Sequence, residues 1–158
     1  AEGAFCHFWA AAKRQAIQET MSAFVENYSH IYPKGIALQG ELCGPGVQKN
    51  KLGLPEHKVF FFNGINLATG EYFNFYELED ALGMMNLPMV PVIDQNFVIG
   101  PETTVQTLIA LATRKATMNP KAWAEGIVVR PLEEAKHRKL GRFSFKAINP
   151  EHLLKHGE

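Results

Sequence analysis

Three ionisable residues stand in segments that otherwise read as interior strand. Glu41 lies in IALQGELC (36–43), Glu125 opens EGIVVRP (125–131), and Lys146 lies in RFSFKAIN (142–149). Side chains alternate across a strand. Glu41 therefore shares a face with Gln39 and Cys43, with Leu38 and Leu42 on the other. Glu125 shares one with Ile127 and Val129. Lys146 shares one with Ser144 and Ile148, away from Phe143, Phe145 and Ala147. No basic residue lies within five positions of Glu41, and a half-buried carboxylate needs a partner. That partner comes from elsewhere in the fold or from a ligand. If the three strands line one cleft, two acids and an ammonium suit a ligand with hydroxyls, a phosphate and a divalent cation. Carboxylates accept from hydroxyls or hold metal-bound waters, and a lysine neutralises phosphate. The competing reading is strand-end charge facing water. Neither GELCGPG nor EGIVVR is specific alone.

The elements that must position these residues are legible as patterns. Phe8, Ala11, Ala12, Ile17, Met21, Phe24 and Val25 recur at helical spacing and predict one amphipathic helix over 5–29, stopped before Pro33. A strand is expected over 35–43, broken by Gly44-Pro45-Gly46. HKVFFFNGINLATGEYFNF predicts two strands joined at LATGE. A short helix is expected over 76–86. The two prolines of LPMVPVI demote it to an edge strand or extended segment. A helix is expected over 102–115, starting near Thr103 or Thr104. EGIVVRP follows as a strand, then a helix over 132–139, RFSFKAIN as a strand, and PEHLLKH as a final helical turn or two with Pro150 in its first turn. Hairpins interleaved with helices predict an α+β fold with largely antiparallel sheets flanked by helices. There is no internal repeat and no low-complexity tract.

The totals set bounds. A chain of 158 residues can build one domain with a real core. Apolar residues are 46% and charged residues 20%, as in ordinary globular proteins. No apolar run approaches the roughly 20 residues of a membrane span, and no membrane partner is expected. AEGAFCHFWAAAKRQ carries no basic stretch ahead of an apolar one and is not expected to be a signal peptide. Cys6 and Cys43 are expected as reduced thiols of an intracellular, by default cytoplasmic, protein. Without CxxC or HExxH no zinc site is expected. A net charge of zero argues against a broad basic face, but the charge is uneven. Lys136 to Lys146 holds five Lys/Arg, one His and no acid; Glu71 to Asp80 holds four acids and no base. The basic run is a phosphate-binding strip or a solvated helix end.

Taken in order, GELCGPGVQKNKLGL, VFFFNG, EGIVVRP and GRFSFKAINPEHLLK resemble four successive motifs of ATP-dependent RNA ligases, which belong to the covalent nucleotidyltransferase superfamily. The resemblance runs from about Trp9 to Lys155. It implies a partial nucleotidyltransferase domain, numbered 1–158 here, that uses ATP (as AMP) and Mg2+ or Mn2+ and acts on RNA ends. It also implies three steps. A lysine attacks the ATP α-phosphate, AMP passes to an RNA 5′-phosphate, and a 3′-hydroxyl displaces it. Moving negative charge this way calls for metal ions and lysines. By resemblance Glu41 holds the ribose or a metal-bound water, Glu125 lies near the metal, and Lys146 contacts the α-phosphate. Phe62 is the best match to the adenine-stacking aromatic, and Phe60, of the same strand parity, is the alternative. Arg130 and Lys139 or Arg142 are contacts for pyrophosphate or RNA, or plain surface charge. The loop Gln48–Asn50 approaches the nucleotide or contacts nothing. Two departures stand out. Ile148 occupies the place of a second lysine, and Asn63 the place of an acid after the aromatic.

The larger departure is that none of the lysines opens a Lys-x-Asp-Gly motif, where the family carries its nucleophile. The expected explanations are a fragment of a full ligase, one half of a split enzyme with the lysine on a partner chain, or a degenerate ligase that binds a nucleotide or RNA end without chemistry. A structural subunit of a larger assembly is the remaining alternative. It need not keep Glu41, Glu125 and Lys146 together.

Overall fold

The chain forms two units, residues 1–90 and 91–158. The computed structural model describes residues 2–139 and 141–156. In the first unit, α1 (Glu2–Arg14) and α2 (Ile17–Asn27) precede β1 (Ile36–Cys43), β2 (Lys58–Asn66), β3 (Glu71–Tyr72) and α3 (Phe75–Met84). The strands form one antiparallel sheet in the order β1-β2-β3. Ile36, Val59, Phe61 and Phe73 from the sheet meet Leu78, Ala81 and Leu82 of α3 and Phe24 of α2 in a buried cluster. Asn74 caps α3 by accepting from the Glu77 amide, and Glu77 answers by accepting from the Asn74 amide.

The single helix expected over 5–29 is two helices. Ala16 breaks it, with φ 49° in the left-handed region. Propensity does not explain this, since alanine is the best helix former. The cause is tertiary. The Gln15 side-chain amide donates to the Val59 carbonyl (3.1 Å) and accepts from the Val59 amide (2.7 Å), so it pairs with the open edge of β2 as a strand residue would. Two residues on, Phe61 serves the same edge with different partners. Its amide donates to Pro88 O and its carbonyl accepts from the Val90 amide, both at 2.9 Å. Met89 thus forms a parallel bridge with Phe61, and LPMVPVI is the extended edge segment its prolines predict.

In the second unit, α4 (Val105–Ala112) is followed by β4 (Lys115–Ala116), β5 (Asn119–Trp123), β6 (Gly126–Val129), β7 (Lys136–His137), β8 (Gly141–Arg142), β9 (Phe145–Ile148) and α5 (Pro150–His156). Three antiparallel pairs form: β4 with β5, β6 with β9, and β7 with β8. The helix expected over 102–115 is shorter, because Thr104 caps it at one end and Lys115 joins β4 at the other. The helix expected over 132–139 does not form. Lys136 pairs with Arg142 and His137 with Gly141, the Phe143 amide donates to Ala135 O (2.8 Å), and Arg142 forms an ion pair with Glu134. Hairpin closure overrides helical propensity here. RFSFKAIN is correspondingly not one strand but parts of two, β8 and β9, with different partners. No helix among the described residues is long and apolar enough to cross a membrane.

Gln15→Ala is expected to leave both polar groups of the buried Val59 backbone unpaired and to cost about 1–3 kcal/mol. Urea unfolding of the variant measures this, and an unchanged midpoint would remove Gln15 as the cause of the helix break.

Candidate functional site

Along β1 and β2 the ladder pairs Cys43 with Lys58, Leu42 with Val59, Glu41 with Phe60 and Gly40 with Phe61, then shifts to pair Gln39 with Asn63. Directly opposed residues share a face. One face is the core, with Ile36, Leu38, Leu42, Val59 and Phe61. The other carries Gln39, Glu41 and Cys43 from β1 against Lys58, Phe60 and Asn63 from β2. The face expected for Glu41 is therefore the one it occupies. Phe62 is the extra residue of a bulge, so Phe60 and Asn63 lie on the face of Glu41. Phe60 is 9% exposed and has the Lys58 ammonium 5.6 Å from its ring centre. Asn63 donates to Gln39 at 2.7 Å.

Glu41 is exposed and accepts from Gln48 Nε2 at 3.2 Å. Its first partner is thus the loop Gln48–Asn50, whose place in the sequence left its role open. Gln48, Lys49 and Asn50 all have left-handed φ, between 44° and 58°. Each such non-glycine residue costs about 1–3 kcal/mol. Asn50 offsets part of that cost by bracketing Leu54: its side chain donates to Leu54 O at 2.9 Å and accepts from the Leu54 amide at 3.0 Å. Burial, and then the charge of Glu41, push the Cys43 thiol up to about 11. Cys6 and Cys43 are both free thiols.

In the second unit Glu125 and Lys146 form an ion pair. Pleat alternation alone would separate them, because Lys146 opposes Val128. The pair forms because Glu125 lies just before β6, outside the regular ladder. Asn149 fixes it there. Its amide donates to Glu125 O (3.0 Å) and its side chain donates to Ala124 O (2.8 Å) and Arg114 O (3.3 Å). Its Oδ1 accepts from the Glu151 amide (3.0 Å), capping α5. Asn149 is 0% exposed. Sequence reasoning gave it no role, although an asparagine before Pro150 carries the signature of a helix cap. Gly126 is needed beside it, since a Cβ there would run into the Ala147 carbonyl oxygen. Arg130 donates to Ser144 Oγ (3.2 Å), and Arg142 is held by Glu134, leaving Lys139 as the exposed member of the pair considered for phosphate.

The Lys146 and Glu125 side chains are 43% and 55% exposed. A pair so wet is worth about 0–1 kcal/mol, whereas a hydrogen bond to a charged group is worth about 1.5–3 kcal/mol. No group of three or more metal-ligating side chains occurs among the described residues. The donors fit the Mg2+ mode of one or two carboxylates plus substrate phosphates rather than an all-protein cage.

Residues 2–148 match the RNA ligase family. No curated protein matches the sequence. A Naegleria gruberi RNA ligase solved with PPi is 25% identical, with a TM-score of 0.74 over 94% of this chain. A lysine-to-methionine mutant of that ligase with AMP and Mn gives 25% and 0.73, and a lysine-to-alanine mutant with ATP and Mn gives 25% and 0.74. The chain spans 40% of the length of these ligases. Its mixed helices and antiparallel sheets share their nucleotidyltransferase fold.

The shared face of Glu41 and Cys43 is tested by alkylation. Iodoacetamide modification of Cys43, read by peptide mass spectrometry, is expected to rise with pH through about 11. Glu41→Gln removes a charge that disfavours the thiolate, so the profile moves to lower pH. An unmoved profile would separate the two side chains.

Proposed function

The chain belongs to the RNA ligase family, and on that footing we propose that it carries the phosphate-handling part of an ATP-dependent enzyme joining RNA 5′-phosphate and 3′-hydroxyl ends. The observation that carries the reading is the Glu125–Lys146 ion pair, a lysine kept ready for phosphate by a partner it can leave at little cost. In the first step a lysine Nζ attacks the ATP α-phosphorus. The bond to the bridging oxygen breaks, pyrophosphate leaves and the nitrogen loses a proton. Lys146 neutralises the charge that builds on the α-phosphate oxygens. In the second step the RNA 5′-phosphate displaces the lysine, and in the third the 3′-hydroxyl displaces AMP, with Lys146 holding the same phosphate in each.

Glu41 accepts from the ribose or a metal-bound water. Phe62, the match by motif, or Phe60, opposite Glu41, stacks on the adenine. Glu125 and Glu41 are each candidate carboxylates for Mg2+ or Mn2+, which when bound would offset phosphate charge. The Naegleria structures with AMP or ATP and Mn support this nucleotide and metal use.

The nucleophilic lysine is contributed by a Lys-x-Asp-Gly segment outside these 158 residues, on the same polypeptide or on a partner chain. Exposed Val128, Phe145 and Ile148 on the β6–β9 ribbon support a larger sheet completed by that part. A second reading, a binding subunit without chemistry, is favoured by one observation: no lysine of this chain opens that motif.

Incubation with α-labelled ATP and magnesium separates them. Label is expected only when the lysine-bearing part is present, and Lys146→Ala is expected to reduce it roughly ten- to a hundredfold, the loss of one charge-assisted contact. Full labelling of Lys146→Ala would remove its role; no label under any combination would leave the binding subunit.

A further inference from the structure

The basic residues that precede Lys146, Lys136 to Arg142, are not absorbed by the nucleotide chemistry, and the structure gives their segment a definite form. β6 and β9 pair from Gly126–Ile148 to Val129–Phe145. The chain between Val129 and Phe145 leaves the ribbon and returns. Within this excursion β7 and β8 pair antiparallel, and Gly141, with φ 77°, takes the left-handed backbone suited to a tight hairpin. Its base is tied three times. Arg142 is paired with Glu134, where Nε donates to Oε2 at 2.8 Å. Arg130 donates to Ser144 Oγ. The Phe143 amide donates to Ala135 O.

These ties sort the charges. Arg142 serves the hairpin. Lys136, Arg138 and Lys139 are exposed, and none forms an ion pair among the described residues. Three uncompensated cations thus sit on a braced projection in a chain of zero net charge. The projection grows from the Val129–Phe145 end of the ribbon, and Lys146 lies one residue into β9, with its ammonium on Glu125 just before β6.

We propose that this hairpin is an RNA-backbone clamp: Lys136, Arg138 and Lys139 neutralise successive phosphates of the strand whose 5′-phosphate is handled at Lys146. The inference rests on the RNA ligase reading and deepens it by assigning the substrate contact. The partner is single-stranded or nicked RNA rather than the triphosphate of ATP. Cations spread along a projection match a repeating chain of phosphates, and they read charge without sequence. The braced base means that little conformational entropy is lost when the strand docks.

The test is fluorescence anisotropy of a labelled, 5′-phosphorylated single-stranded RNA against the full-length protein over a salt series. The double variant Lys136→Gln/Arg138→Gln lies on the exposed hairpin and is checked for folding by its melting curve. The expected result is a several-fold weaker complex and a log K against log[salt] slope shallower by about 1.4, two contacts at about 0.7 each for single strands. Self-labelling by α-labelled ATP should be unchanged. Equal affinity and slope in variant and wild type overturn the clamp while leaving the ligase reading standing. Loss of self-labelling with RNA binding intact overturns it too, by assigning the cations to ATP. Wild-type protein that binds no RNA overturns both. Lys139→Glu, which reverses a third charge, should weaken RNA binding further; no added effect would contradict the three-residue track.

Discussion

One buried side chain holds the second unit in the form its chemistry requires. Asn149 ties the backbone at Arg114 and Ala124 to the start of α5, while its own amide holds Glu125 against the end of β9. Two short strands paired alone are marginal in water. Polar groups that are fully buried and satisfied specify one arrangement, and Asn149 supplies that specification where the ladder ends. Glu125 then sits one residue outside the pleat and can meet a lysine that strict alternation would put on the other face. The Glu125–Lys146 pair is the consequence of this constraint rather than its cause, since an ion pair so exposed is too weak to organise a backbone.

That weakness suits the chemistry. A lysine locked in a buried pair would be costly to release, and one with no partner would be mobile. Under the proposed function an exposed pair would orient Lys146 and yield to a phosphate. The first unit follows a different economy around Glu41. Three consecutive left-handed residues bring Gln48 onto the carboxylate, and Asn50 holds the turn shut. Strain of this kind persists where surrounding structure over-determines it. Glu41 is oriented by a neutral donor, which leaves its charge uncompensated by that contact.

What the sequence made legible followed from local rules. The α+β composition, the strand carrying Glu41, the edge character of LPMVPVI, the start of α4 near Thr103 or Thr104 and the short C-terminal helix all came from alternation, proline placement and capping. What it hid depended on contacts between distant residues. The break at Ala16 is caused by Gln15 reaching Val59, 44 positions away. The bulge at Phe62 is a property of the pairing, and no pattern within FFF reveals it. The 132–139 segment has helical composition, yet its fate was decided by Glu134 meeting Arg142. For the site, residue types marked Glu41, Glu125 and Lys146, and the meeting of the last two is now seen. Asn149 before Pro150 reads as a helix cap, but its bonds to Arg114 O and Ala124 O, 35 and 25 positions away, leave no local signature.

The central claim is that the Glu125–Lys146 end of the β6–β9 ribbon receives a metal-bound nucleotide phosphate. Paramagnetic line broadening tests it most directly, by comparing amide spectra of the full-length protein with MnATP and with MgATP. The account predicts that amides over 125–128 and 145–148 broaden first, at low Mn2+. Sharp signals there, while MnATP broadens amides elsewhere, would contradict it.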